Sequence, residues 1–141
     1  MTLVAGSLKP GDEHSAIVVE DLKRTMLVQY AGASGDYNPI HTDEIYATQV
    51  AGYRTVFAHG MLTMGLTAKM LTDHVGDGRL TRYGVRFTRQ VWPGDTLTAS
   101  ATVTAVTKTD DSEIIDFDVR TINQDGVEVL SGYATAAIPL A

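Results

Sequence analysis

The sequence has no cysteine, which excludes disulfides and cysteine-ligated metals outright. Basic residues are in the minority: 11 Lys and Arg stand against 17 Asp and Glu, for a net charge of −6 and a pI of about 5.0. Nucleic-acid binding draws most of its affinity from phosphate contacts and needs a basic face, so this balance argues against such a partner, though a local patch can still take a phosphorylated ligand. No apolar run approaches the length of a membrane span, and Met1 to Pro10 lacks the basic start of a secretory leader. Neither a nucleic acid nor a membrane is therefore expected as partner, and the cytoplasm is the expected location. No linker, internal repeat or low-complexity stretch interrupts the 141 residues, so one domain over residues 1–141 is expected, long enough to bury a core. A hydrophobic fraction of 44% and a charged fraction of 20% are those of a folded globular chain.

What the chain does hold is an unusual stretch, Ser34-Gly35-Asp36-Tyr37-Asn38-Pro39-Ile40-His41. Pro39 fixes its own φ, has no N–H and pushes Asn38 toward extended geometry, so the segment is no regular helix. An irregular turn then carries the Asp36 carboxylate and the His41 imidazole, where both can converge on one small molecule. A second concentration is Ala58-His59-Gly60-Met61-Leu62-Thr63-Met64-Gly65, which reads as a helix start.

Taken in order, Ser15 to Glu20 reads as a short strand, and Asp21 as the cap of a helix with Leu22, Met26, Leu27, Tyr30 and Ala31 on one face, ending near Gly32. After the motif, Thr42 is placed to cap a short helix over Ile45 to Val50 that Gly52 ends. From Met61 to Val75 apolar residues lie round most of the helical circumference, which predicts a helix buried within a sheet. The remainder alternates with period two: Tyr83, Val85 and Phe87 share a face, as do Leu97, Ala99, Ala101, Val103 and Ala105. Glu113 to Ile122 and Val127 to Ile138 add two more strands. The turns Trp92-Pro93-Gly94-Asp95, Asp110-Asp111-Ser112 and Asn123-Gln124-Asp125-Gly126 predict that consecutive strands pair as an antiparallel meander. The fold class is α+β, an antiparallel sheet curled round a long central helix.

Chemically, burial beside an apolar helix would turn the Asp36 carboxylate into a useful base, and His41 can donate or accept near neutrality. Two such groups sharing one water can take a proton from it and deliver one to carbon, which is what adding water across an activated double bond requires. Negative charge then develops on a thioester oxygen, and the Gly60 N–H, at the positive end of a helix, is a fixed donor with room for a ligand beside it. Tyr37, Asn38, His59 and Met61 flank these groups as candidate substrate contacts. Simpler roles are open to some of them: Asn38 can fix the loop, His59 can hydrogen-bond the backbone, and Met61, Met64 and Met70 can pack a core or line an acyl tunnel. His14, His41, His59 and His74 show no metal-ligand spacing, so no metal is expected.

The segments Tyr30 to His41 and Ala58 to Leu62 resemble the hydratase motif of the MaoC-like, hot-dog-fold family, with its Gly-Asp-x-Asn-Pro-x-His core and following His-Gly-Met. Val85-Arg86-Phe87 and Trp92-Pro93-Gly94-Asp95 extend the likeness, and the run Ala58 to Gly65 is similar to the catalytic subunit of mycobacterial (3R)-hydroxyacyl-ACP dehydratase. The resemblance implies a hot-dog fold and an (R)-specific enoyl-CoA hydratase or (3R)-hydroxyacyl-thioester dehydratase that needs no cofactor. It implies Asp36 and His41 as catalytic dyad and Gly60 as oxyanion donor. Some hydratases carry a Ser further along the central helix; Ala68 is taken to stand there here. An acyl-CoA or acyl-ACP substrate and a homodimer, or a heterodimer with a related hot-dog subunit, are implied as partners. Arg82, Arg86, Arg89 and Lys108 are candidates for phosphate contacts, against the alternative of a solvated strand face. Hot-dog domains also hydrolyse thioesters, so an acyl-CoA thioesterase is the competing expectation.

Overall fold

A computed structural model describes residues 2–141. Strand β1 (Glu13–Val19) leads into helix α1 (Arg24–Ser34). Asp21 does not cap it. That residue has left-handed backbone geometry at φ 47, and its N–H donates to Thr96 Oγ1, while Lys23 holds the cap position without a side-chain bond. The predicted apolar face is right, with Leu22, Leu27 and Ala31 buried and Met26 and Tyr30 packed on the same core. The helix ends later than Gly32, because the left-handed residue that stops it is Gly35, at φ 75, whose N–H returns to the Ala31 carbonyl at 3.0 Å.

Helix α2 (Gly60–Val75) is the centre of the molecule, followed by β2 (Leu80–Phe87), β3 (Leu97–Lys108), β4 (Ser112–Ile122) and β5 (Glu128–Pro139). The sheet order is β1-β3-β4-β5-β2, antiparallel throughout. Strands β3, β4 and β5 form the expected meander, but β2 pairs with β5 and not with β3. The segment between β2 and β3 is a crossing, not a hairpin: Thr88 N–H donates to the Val129 carbonyl, Ala58 N–H to the Val91 carbonyl, and the Trp92–Asp95 turn closes on Leu22 through Gly94 N–H and Asp95 O. These bonds carry the chain over the start of α2.

The sheet curls round α2 and makes the hot-dog arrangement. Leu62, Thr63, Thr67, Met70, Leu71 and Val75 face it and are buried, and Tyr83 OH ties β2 to the helix by donating to the Met64 carbonyl at 2.8 Å. Full burial of a side chain such as Leu71 or Ile115 contributes roughly 1.5–3 kcal/mol, and both are fully buried here. The helix is not enclosed all round. Met61, Gly65, Lys69 and Asp73, one turn apart, form an exposed stripe on its other side. On β3 the alternation runs inward through Leu97, Ala99, Ala101 and Val103, then a register shift before Ala105 turns Val106 to the core in its place. No helix among the described residues is long and apolar enough to cross a membrane.

Candidate active site

Gly35 turns the chain out of α1 into an extended Asp36–Asn38 segment. Asp36 Oδ1 accepts from Asn38 N–H at 3.2 Å, and Asn38 Oδ1 accepts from Ile40 N–H at 3.2 Å. Asn38 thereby caps the single 3-10 turn Pro39–His41, with Pro39 at the first position where its missing N–H costs nothing. The simpler reading of Asn38, as a loop-fixing residue, is what the structure shows. Beyond His41 the next turn is started by Asp43, whose Oδ1 accepts from Tyr46 N–H at 3.1 Å; Thr42 does not cap it. Glu44 braces the loop against α1 by accepting from Arg24 Nη1 at 2.7 Å and Thr55 Oγ1 at 2.8 Å, and the Arg24 bond holds its carboxyl below the usual value.

His41 lies buried at the end of the 3-10 turn. Its Nδ1 meets the Phe57 carbonyl at 2.6 Å. A carbonyl only accepts, so Nδ1 carries the hydrogen and Nε2 is left with a lone pair for a proton. Burial pushes the His41 pKa down, against upward pulls from the Phe57 carbonyl and Asp36, so the ring is neutral at neutral pH. His59, 2% exposed, stacks on His41 with ring centroids 3.8 Å apart and donates through Nε2 to the Asp36 carbonyl at 2.9 Å. It is therefore the backbone-bonding residue at a helix start that the sequence allowed. Tyr30 of α1 meets its ring edge-on at 4.9 Å.

Asp36, His41 and His59 each present an atom within 4.8 Å of the other two. One water bridges such a gap, since each of its hydrogen bonds spans about 3 Å. Asp36 is exposed in the single chain, not buried beside the apolar helix as its sequence context suggests. The trio is poorly built for a metal. The His41 and His59 planes are 25° from parallel and stacked, so their in-plane lone pairs run alongside each other and do not meet at a point.

Gly60 opens α2 directly after His59, and amides in the first turn have no intrahelical acceptor. The space beside it is less open than the sequence implies: a Cβ at this position would come within 2.7 Å of the Phe87 ring. Gly60, Thr63, Phe57, Phe87, Val91 and Arg89 are among the residues that line a cavity of about 270 Å³. Asp36 and His41 are not among its walls. Tyr37 and Met61 are exposed and do not line it either, so the single chain does not gather these two candidates with the dyad. Of the basic candidates only Arg89 reaches this cavity; Arg82 lies over the Tyr133 ring at 4.5 Å, and Arg86 and Lys108 sit on exposed strand positions. Phe57, Tyr30, Thr63 and Phe87 are site residues the sequence reading missed. Phe57 acts on His41 through its backbone carbonyl, for which no side chain gives a signal.

Residues 8–127 match the family described as MaoC like domain. The chain is 35% identical over 98 residues to a 3-hydroxyacyl-thioester dehydratase Y of Mycobacterium tuberculosis, covering 67% of this chain and 32% of that protein, so it spans about a third of that relative. It is 32% identical over 127 residues to an (R)-specific enoyl-CoA hydratase of Rhodospirillum rubrum, covering 89% of this chain and 85% of that one. The (R)-hydratase from A. caviae involved in PHA biosynthesis superposes with a TM-score of 0.82 at 28% identity, over 96% of this chain and all of that one. With its motif, its fold and these likenesses in agreement, the chain belongs to the MaoC-like family.

Proposed function

We infer that the chain is a hydro-lyase that interconverts trans-2-enoyl thioesters and (3R)-hydroxyacyl thioesters. The observation that carries this is the approach of the Asp36 carboxylate to the buried His41, within the reach of one water, with Gly60 opening α2 directly after the stacked His59. In the hydration direction Asp36 orients a water and His41 Nε2 takes its proton. The water oxygen bonds to C3, the C2–C3 π pair moves toward the thioester, and the Gly60 N–H stabilises the enolate oxygen. A proton then returns to C2, so that H and OH have been added and nothing is left over. This chemistry calls for no metal or redox cofactor. The proposed unit is one MaoC-like domain over residues 1–141, working in the cytoplasm on an acyl-CoA or acyl-ACP.

A second copy of the chain fits this reading. Tyr37, Ile45, Val50, Met61 and Phe87 are large, apolar and exposed in the single chain, and a dimer would cover surface of this kind and give the thioester arm a wall. A related hot-dog subunit in place of the second copy is the variant to distinguish, by solution mass and activity of the purified chain alone.

The test is hydration of crotonyl-CoA and longer enoyl-CoAs, followed as loss of enoyl absorbance with a thiol reagent present. Asp36→Asn and His41→Gln are expected to lower kcat/KM by at least about 10²-fold in folded protein. Near-normal rates in either variant refute the assignment, and release of free CoA by the wild type points to thioester hydrolysis.

A further inference from the structure

Two buried imidazoles lie face to face beside Asp36, and their bonds fix where protons can sit. The hydrogen of His41 is on Nδ1, toward the Phe57 carbonyl, and that of His59 is on Nε2, toward the Asp36 carbonyl. In neutral rings this leaves Nε2 of His41 and Nδ1 of His59 bare. The two bare nitrogens are not equivalent. Nδ1 of His59 is buried with no hydrogen-bond partner among the described residues. A hydrogen on that nitrogen would find no acceptor among the described residues, so the ring's hydrogen belongs on Nε2, toward the Asp36 carbonyl.

The surroundings agree from every side. His41 is faced by Asp36 from the loop after α1, by the Phe57 carbonyl and ring from the segment before α2, and by His59 at the α2 start. His59 is faced by His41, the Asp36 carbonyl and the edge of Tyr30. Asp36 brings the negative charge of this group, and it pulls the His41 pKa up.

We propose that His59 is a positioning residue for the water-activating dyad: it pins the Asp36 loop through Nε2–H and backs the His41 ring, so that the Asp36 carboxylate and His41 Nε2 keep their places about one water. The proposal takes its purpose from the hydratase reading, while its central measurement, the hydrogen bonds of the two rings, does not depend on it. Burial in the stack also holds the His41 pKa below the usual imidazole value, so the ring can accept a proton at neutral pH.

The experiment is nitrogen-15 NMR of the imidazole rings at neutral pH in the full-length protein, wild type, His59→Phe and His59→Gln, with kinetics on crotonyl-CoA. Phe keeps a ring in the stack without nitrogens, and Gln keeps an N–H for the Asp36 carbonyl without a ring. In the wild type a slowly exchanging Nδ1–H on His41 and a slowly exchanging Nε2–H on His59 are expected, each held by its carbonyl. With Phe at position 59 kcat should fall by about tenfold or more with KM changed less than about threefold, and Gln should recover most of that loss. A wild-type His59 with no protected Nε2–H, or a Phe variant with wild-type kcat, overturns the proposal. The wild-type spectrum decides it even where a variant fails to fold. If the wild type hydrates no enoyl-CoA, the hydratase reading falls while the spectrum still judges the pair.

Discussion

Replacing Gly60 with Ala separates the two demands placed on that glycine, packing and approach. A methyl built there lies 2.7, 2.8 and 2.9 Å from Cδ2, Cε2 and Cγ of Phe87. Carbon contacts need about 3.5–4.0 Å, so the ring must withdraw by about 1 Å. Phe87 ends β2 and is 48% exposed, so it can turn toward solvent, and the overpacking cost falls near the low end of roughly 1–3 kcal/mol. Against this, Ala in a helix is favoured over Gly by up to about 1 kcal/mol. The two nearly cancel, and the melting temperature is expected to move by no more than about 4 °C. Activity has no such offset. A methyl on the approach to the first-turn amide removes one oxyanion donor, which costs about 10²–10³ in kcat. The assay is crotonyl-CoA hydration by Gly60→Ala, by Phe87→Ala and by the double variant. If the methyl obstructs the thioester, the double variant stays slow; if the displaced ring were the cause, it recovers. A folded Gly60→Ala protein with kcat/KM within about threefold of wild type refutes the role given to this amide.

Two further outcomes follow from burial and close approach. Burial holds the pKa values of His41 and His74 below the usual imidazole value, and His14, stacked on His74 at 4.1 Å, adds to the effect there. Because the folded values lie below the unfolded one of about 6.5, the unfolded chain binds protons first as pH falls. Their contribution is complete above about pH 6.5 and is lost below it, toward the folded values. Calorimetry should show Tm falling from pH 7 to 5.5, less steeply in His74→Gln, and an unchanged slope in that variant would count against the stacked pair. Gly132→Ala places a methyl against the Gly84 carbonyl of the neighbouring strand, where backbone cannot give way as the Phe87 ring can. A loss at or above about 3 kcal/mol in urea unfolding is expected, and one below about 1 kcal/mol contradicts the contact.

How far the sequence could be read depended on whether the signal was local. The period-two strands and the apolar run of α2 announce themselves, because each residue's burial follows from its own element. Strand order does not: β2 pairs with β5 because residues 88–96 are tied down by Val129, Ala58 and Leu22, all distant in sequence. The end of α1 was misplaced for a similar reason. Gly32 and Gly35 look alike in sequence, and only the second takes the left-handed geometry that halts a helix. Within the candidate site, the approach of Asp36 to His41 was legible from chemistry and spacing. The Phe87 ring over Gly60 was not, since nothing in either segment records that the other lies 2.7 Å from where a Cβ would be.

The bonds that assemble the site are almost all made to backbone. Phe57 gives His41 its tautomer through a carbonyl, and Asp36 receives His59 through a carbonyl. Asn38 holds the 3-10 turn by accepting from a backbone N–H. This division has a chemical consequence. An aspartate anchored through its side chain spends acceptor sites on the anchor and leaves fewer for water. Asp36 is instead held through its main chain, with only the Asn38 N–H drawing on the carboxylate. One residue can then serve as both anchor and reactive group. The constraint therefore falls on its neighbours, Gly35 for the left-handed turn and Pro39 for the fixed φ, which set the path of the backbone that carries the carbonyl and the carboxylate.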